Sequence, residues 1–119
     1  MPLYMVEKLV SGVIVLDLRG RIVLGPETEA LRERVRRLLE AGHTRIVLNL
    51  EEVNYMDSSG LSTLVSSFTS VRMQGGELKL LNLTKRIRDL LLITKLSTVF
   101  EVYDSLEAAR RSFASPASA

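Results

Sequence analysis

The sequence predicts a single α/β domain in which one mixed β-sheet, begun by an N-terminal hairpin, carries about four helices. Two strand-like runs near the amino terminus are joined by a glycine turn, and the patterns that follow alternate between helix and strand. The length of 119 residues fits one hydrophobic core. We expect residues 1–113 to form the domain and residues 114–119, which are small and polar, to form a flexible C-terminal tail.

The first elements form the hairpin. "MVEKLV" and "VIVLDL" are rich in β-forming residues, and the two-residue link Ser11-Gly12 closes an antiparallel hairpin when glycine supplies a positive φ. A loop is expected after Gly20. Pro26 opens a helix that Gly42 ends. One face of this helix is apolar and carries Leu31, Val35, Leu38 and Leu39.

The central elements flank a polar turn. The run "RIVLNL", Arg45–Leu50, is dense enough in aliphatic side chains to predict a central strand that is covered on both faces. A second helix follows the turn and ends at Gly75-Gly76. Its apolar stripe consists of Leu61, Leu64, Val65, Phe68 and Val71.

The last elements continue the alternation of strand and helix. We expect a strand over Glu77–Leu83, a helix capped by Thr84 that ends near Leu96, and a short strand over residues 98–103. Ser105 caps a final helix. The apolar side of this final helix carries Leu106, Ala109 and Phe113.

Composition excludes several classes of function. The absence of cysteine excludes disulfides and thiolate metal sites. The formal net charge of +2 is mild, and basic residues are interleaved with acids, as at Glu29 and Arg32, so we expect no nucleic-acid partner. Motifs that bind nucleotide phosphates or catalytic zinc do not occur, so we expect no cofactor and no metal.

The apolar runs bear on localisation. The longest of them fall far below the roughly 18 residues that a membrane-spanning helix needs. The first residues lack the basic start, the apolar middle and the cleavage site of a secretory signal. We therefore expect a cytoplasmic protein with no membrane partner.

The stretch "NYMDSSGLST", residues 54–63, places an acid, two serines and a glycine at the start of the second helix. One capping side chain satisfies a free N–H group at a helix start and contributes about 1 kcal/mol. Whether Asp57 or Ser58 is the cap, other polar side chains, including that of Ser59, are left over. Gly60 sacrifices roughly 1 kcal/mol of helix propensity relative to alanine, and it lets another group approach the backbone closely.

The second helix also lacks charge. From Ser58 to Val71 it has no charged residue, and an uncharged face is inexpensive to desolvate in an interface. Two interpretations stand: the hydroxyl-rich face binds another protein, or it packs against a neighbouring element of the same chain. This face carries Ser62, Thr63, Ser66, Ser67, Thr69 and Ser70.

The run "VLNLEEVNYMDSSGLSTLVSS", with "QGGELKLLNL" and "TKLSTVFEVYDSLEAA" after it, resembles the anti-sigma factor antagonists of the STAS domain family from about Val13 to Phe113. The resemblance implies a STAS-type domain with its phosphorylation site at Ser58. It implies two partners, an anti-sigma factor that is also an ATP-dependent serine kinase and a PP2C-type phosphatase that reverses the modification. The unmodified antagonist would bind the anti-sigma factor and so release a sigma factor. The residues expected to bind the partner are Asp57, Ser58, Ser59, Gly60, Leu61, Ser62 and Ser66.

The sequence departs from the family at two places. Relatives often have an acidic residue after the second strand, in a Gly-x-Leu-Asp pattern, where this chain has Gly20-Arg21-Ile22-Val23. Ser62 stands where glycine is frequent. Both departures border the expected docking face and bear on the identity of the partner. Neither indicates the oligomeric state, for which we expect a monomer or a weak dimer.

Two other functions compete with this prediction. A serine hydrolase would need the Gly-x-Ser-x-Gly elbow, but Met56 takes the place of the first glycine before Ser58, and His43 is the sole histidine. We therefore expect no enzymatic activity and no catalytic residue. The alternative within the family is a STAS scaffold or an accessory subunit of a signalling assembly or transporter, without sigma-factor control.

Overall fold

The computed structural model describes residues 3–113, and the predicted flexible tail at 114–119 lies outside the described residues. Strand β1 (Tyr4–Val10) pairs antiparallel with strand β2 (Val13–Ile22), which confirms the hairpin. Ser11 and Gly12 both have positive φ, 51° and 83°, as a two-residue turn of this type requires. The predicted loop before Pro26 is present, but it begins at Val23 and not directly after Gly20, because β2 continues to Ile22 with an irregularity in its pairing at Gly20.

Three further strands complete a mixed sheet. Strands β3 (Arg45–Met56), β4 (Glu77–Leu81) and β5 (Val102–Tyr103) follow in the order β1-β2-β3-β4-β5, and the pairs from β2 to β5 are parallel. The structure differs from the sequence prediction at strand ends. Strand β3 extends to Met56 instead of ending at Leu50, since its polar second half still pairs with β2. Strands β4 and β5 are shorter than predicted.

Four helices connect the strands of the described region: α1 (Pro26–Glu40), α2 (Ser58–Met73), α3 (Lys85–Ile93) and α4 (Leu106–Ser112). Helix α3 ends before the predicted Leu96. The chain turns at Lys95, where φ is 62°, and Leu96 N–H donates to the Leu91 carbonyl at 2.8 Å. This left-handed residue and backward hydrogen bond are typical of a helix C-terminus.

The predicted caps of the last two helices are confirmed. The Thr84 hydroxyl accepts from Ile87 N–H at 3.3 Å, and the Ser105 hydroxyl accepts from Ala108 N–H at 3.1 Å. Each cap satisfies one N–H group that the first turn leaves free. These side chains therefore fix where α3 and α4 begin.

The core lies on both faces of the sheet, as predicted for the central strand. Ile46 and Leu48 of β3 are fully buried in a cluster with residues of α1, α2 and α3. Val47, which points to the opposite face, is buried with Ala109 and Phe113 at α4. Three helices therefore cover one face of the sheet, and α4 packs on the other. None of the helices within residues 3–113 combines the length and the apolar character that a membrane crossing requires.

A buried lysine anchors the α4 face. Lys79 of β4 is 3% exposed, and its ammonium group lies 3.0 Å from carboxylate oxygens of both Glu77 and Glu101 and donates to the Ser112 hydroxyl at 2.8 Å. It also lies 4.4 Å from the ring centroid of Phe113. Burial opposes the charged form, but the hydrogen bonds to Glu101 and Glu77 outweigh it and raise the pKa of Lys79.

Candidate functional site

The polar turn lies at the carboxyl edge of the parallel strands, where β3 passes into α2. Asp57 N–H donates to the Ile22 carbonyl at 3.3 Å, so the turn stays attached to the end of β2. Helix α2 begins at the next residue, Ser58. In open α/β sheets this edge is where ligands and partners generally bind.

Asp57 is the cap of α2, which settles the choice between Asp57 and Ser58. Its Oδ1 accepts from Gly60 N–H at 2.8 Å, and its Oδ2 accepts from Leu24 N–H at 3.0 Å. These donors, Leu24 first and then Gly60, lower the pKa of the Asp57 carboxyl. One carboxylate therefore joins the start of α2 to the connection between β2 and α1.

Ser58 keeps a free and exposed hydroxyl. It is the first residue of α2 and lies on the surface, and no hydrogen bond engages its side chain within the described part of the chain. Ser59 is partly buried, and its carbonyl accepts from the Thr63 hydroxyl at 2.9 Å. Since Asp57 performs the capping, the Ser58 hydroxyl has no structural role in the turn.

Gly60 has a packing role within the chain. A Cβ atom at this position would lie 2.1 Å from the Ile22 carbonyl oxygen and 2.7 Å from Cγ of Met56. The close approach expected at Gly60 is therefore made by β2 and β3. Leu61 is 7% exposed and belongs to the core. Gly60 and Leu61 thus lie below the surface, and their contact with a partner stays a prediction that their burial does not support.

Part of the hydroxyl-rich face of α2 packs within the chain, and part of it is accessible to another protein. Thr63 and Ser67 are buried, as expected for packing within the chain. The other four side chains of this face are exposed: Ser62, Ser66, Thr69 and Ser70. A groove of about 820 Å³ runs between α1 and α2 beside Ser66 and Ser70. The exposed face of α2 next to Ser58 therefore carries no charged side chain and remains accessible, with Ser62 and Ser66 among its residues, whereas the α1 side of the groove carries Arg32, Arg36 and Glu40.

Exposed apolar and aromatic side chains lie at the same edge of the sheet. Leu24 is 75% exposed, and its backbone is held by Asp57. Tyr55, three residues before Ser58, is 36% exposed. The sequence analysis missed both residues, because an apolar residue in a loop or at a strand end gives no pattern that separates exposed from buried positions.

The alternative of a serine hydrolase would need a histidine next to Ser58, but His43 and Ser58 lie at opposite ends of β3. His43 lies in the link before β3, at the amino edge of the sheet, and Ser58 follows the carboxyl end of the same strand. A strand of 12 residues spans roughly 35–40 Å at 3.2–3.4 Å per residue, so His43 cannot accept a proton from Ser58. No group of three or more histidine, aspartate or glutamate side chains that could hold a metal ion occurs within residues 3–113.

Comparison with known proteins finds a family model, related proteins and solved structures that match this chain. The family model of the STAS domain matches residues 4–109. The anti-sigma-B factor antagonist of Bacillus subtilis is 42% identical over 72 residues, which are 60% of this chain and 65% of that relative's own length. An anti-sigma factor antagonist from Mycobacterium paratuberculosis has a crystal structure that matches with a TM-score of 0.80 at 19% identity, over 95% of each chain.

The anti-sigma factor antagonist SpoIIAA matches in two forms. Its unphosphorylated form gives a TM-score of 0.72 at 20% identity, over 93% of this chain and 97% of that one. The phosphorylated form of the Bacillus protein gives a TM-score of 0.71 at 22% identity, over 92% and 99%. These structural matches show a shared fold.

Proposed function

Because the chain belongs to the STAS domain family and is related to its anti-sigma factor antagonists, we propose that phosphorylation of Ser58 controls its binding to an anti-sigma factor. In this proposal the partner is an anti-sigma factor that is also a serine kinase. The unmodified protein binds it and thereby releases a sigma factor. The protein acts in the cytoplasm and works by binding, without catalysis of its own.

The observation that supports the proposal most strongly is that Asp57 caps α2 and leaves the hydroxyl of Ser58 exposed. Asp57 satisfies the helix start and the neighbouring loop with both of its oxygens. Ser58 remains exposed at the first position of α2 with its hydroxyl unengaged among the described residues. Modification of Ser58 therefore removes no contact that the fold uses.

A phosphate at this position is compatible with the folded domain. It adds close to two negative charges at a helix amino terminus, where the helix dipole and free N–H groups favour an anion. Asp57 lies next to it, but its carboxylate already accepts two backbone hydrogen bonds that are independent of the Ser58 side chain. We expect the phosphorylated domain to keep its fold, as the match to both forms of SpoIIAA also supports.

The same phosphate opposes docking. The surface around Ser58 is uncharged along α2, where Ser62 and Ser66 are exposed, and it includes the exposed side chain of Leu24. Such a surface loses little free energy on desolvation, whereas a phosphate in its centre must lose its hydration and faces repulsion from any carboxylate nearby. A penalty of about 2.7 kcal/mol already weakens binding a hundredfold.

The experiment that tests this function is phosphorylation by candidate partner kinases. The protein is incubated with each kinase and ATP, and intact-mass measurement counts the phosphoryl groups added. The wild type should gain one group, Ser58→Ala should gain none, and the matched control Ser59→Ala should behave as the wild type. A PP2C-type phosphatase should remove the group. Equal modification of Ser58→Ala and the wild type would contradict the assignment, and binding without any modification would favour the scaffold alternative.

A further inference from the structure

An arginine pair flanks Tyr55 beside the proposed switch. The guanidinium carbon of Arg21 lies 5.1 Å from the centroid of the Tyr55 ring, and that of Arg86 lies 5.4 Å from it. The three side chains come from β2, β3 and α3, so the fold assembles them from distant parts of the sequence. Stacking of a guanidinium near an aromatic face orients the group and leaves its N–H donors available at the edge.

Neither arginine is neutralised by another described residue. In the described region, Arg21 and Arg86 form no ion pair with a carboxylate, although six other arginines do. The neighbouring Lys85 pairs with Asp89 at 2.9 Å, so that lysine and that acid compensate each other. Asp57 is engaged by backbone N–H groups. The arginines that do form ion pairs are Arg34, Arg36, Arg37, Arg88, Arg110 and Arg111.

Tyr55 and Arg86 line a depression with apolar walls, and Arg21 lies outside that lining, on the Tyr55 ring. A pocket of about 540 Å³ lies between the end of β3 and α3 and is lined by Tyr55, Met56, Arg86, Leu90 and Ile93, with Lys85 and Asp89 at its side. The Ile93 side chain is 78% exposed. A surface that joins two arginines without a carboxylate partner among the described residues to the exposed side chain of Ile93 fits a peptide segment that combines carboxylates with an apolar residue.

The position links this surface to Ser58. Met56 pairs with Ile22 in the ladder between β2 and β3, and Asp57 N–H donates to the Ile22 carbonyl, so Tyr55 and Ser58 are held at the same edge of the sheet. The amino terminus of α3, which carries Arg86, lies at this edge as well, because α3 follows the carboxyl end of parallel strand β4. A protein that binds over Ser58 and extends along this edge of the sheet therefore contacts Arg21, Tyr55 and Arg86.

We propose that Arg21, Tyr55 and Arg86 form a docking surface for an acidic segment of the protein that binds at Ser58. The inference rests on the proposed function and specifies the chemistry of the partner. A protein segment is favoured over nucleic acid because two cations are few for a phosphate backbone, and because the exposed Ile93 beside them suits an apolar side chain.

Affinity measurements with neutralised variants test the proposal. The kinase that modifies Ser58 is titrated with the wild type, Arg21→Gln, Arg86→Gln and the control Arg45→Gln. The exposed Arg45 lies at the start of β3, at the opposite edge of the sheet from Ser58, and also lacks an ion pair in the described region. Each of the first two variants should lose about tenfold or more in affinity, and the loss should shrink at high salt. The control should bind as the wild type does. Wild-type affinity of Arg21→Gln and Arg86→Gln, with Ser58 phosphorylation intact, would overturn this inference and leave the proposed function standing.

A second measurement needs no kinase and so separates the two proposals. The wild type is titrated with a short peptide that carries two glutamates and one leucine and, separately, with a single-stranded oligonucleotide, while NMR follows the arginine Nε–H signals. The peptide should shift the signals of Arg21 and Arg86 and leave that of Arg45 in place. Shifts spread over all arginines, no shift at all, or tighter binding of the oligonucleotide would overturn the acidic-segment proposal.

Discussion

Replacing Gly60 with alanine probes the contact that fixes α2 on the sheet. The added Cβ would lie 2.1 Å from the Ile22 carbonyl oxygen and 2.7 Å from Met56 Cγ, both inside the 3.0 Å that real Cβ contacts essentially never reach. The nearer atom belongs to the backbone of Ile22, the last residue of β2, which pairs with Met56 and whose carbonyl accepts from Asp57 N–H, so it cannot move aside alone. The first turn of α2 must therefore shift away from β2 and strain the Asp57 hydrogen bonds.

The expected magnitude follows from two opposing effects. Overpacking of this kind costs about 1–3 kcal/mol and sometimes more, and the overlap with a backbone oxygen places Gly60→Ala at the upper end. Alanine recovers up to about 1 kcal/mol of helix propensity. The net loss is about 2 kcal/mol, which for a domain of this size lowers the midpoint of thermal unfolding by roughly 8 °C.

Thermal and urea unfolding measure this effect. Ser62→Ala is the matched control, because it introduces the same residue at an exposed position two residues further along α2. Its stability should stay within about 0.5 kcal/mol of the wild type. If Gly60→Ala were as stable as Ser62→Ala, the intramolecular explanation of Gly60 would be refuted, and a role for this glycine in contact with a partner would be favoured.

The remaining predictions concern three buried or capping side chains. Asp57→Ala should cost about 1–2 kcal/mol in urea unfolding, since the α2 cap is lost. The fold lowers the pKa of Asp57, so the stability that its carboxylate contributes is present above the ordinary pKa of 3.8 and disappears as the pH falls through the folded-state value. The variant should therefore lose less stability in acid than the wild type does. Equal acid sensitivity of the two proteins would contradict this. Lys79→Met should cost about 2 kcal/mol and expose α4 amides to hydrogen exchange, because it removes the charged hydrogen bonds to Glu101 and Ser112; unchanged exchange in α4 would count against the anchor. Ser67→Ala should stabilise the protein by about 1 kcal/mol, since the buried Ser67 hydroxyl has no partner among the described residues; a destabilised variant would indicate that water satisfies this hydroxyl.

Local signals in the sequence predicted the elements well. Ser11-Gly12 predicted the hairpin, and Thr84 and Ser105 predicted the starts of α3 and α4, because a turn or a cap depends on a few neighbouring residues. Strand ends were predicted less well. The end of β3 follows from pairing with β2, and polar residues such as Glu52 give no sign of it. Tertiary pairing overrides local preference at such positions.

The site was only partly predictable for the same reason. The surplus of polar side chains at Asp57 and Ser58 is visible in the sequence, and so is the lack of charge along α2. Besides its capping bond to Gly60, Asp57 accepts a hydrogen bond from Leu24 N–H, which lies 33 positions away in the sequence. The role of Gly60 depends on Ile22, and the stacking of Arg21 and Arg86 on Tyr55 requires three separate elements. Contacts of this range become visible only in the folded chain.

The central claim is that a phosphate on Ser58 blocks docking and leaves the domain folded. The most direct measurement is the affinity of the same kinase for the unmodified protein and for the protein fully phosphorylated at Ser58, with circular dichroism on both forms. We predict that affinity falls at least about a hundredfold while the spectrum and the unfolding midpoint are nearly unchanged. Equal affinity of the two forms, or loss of binding that accompanies loss of structure, would contradict the account.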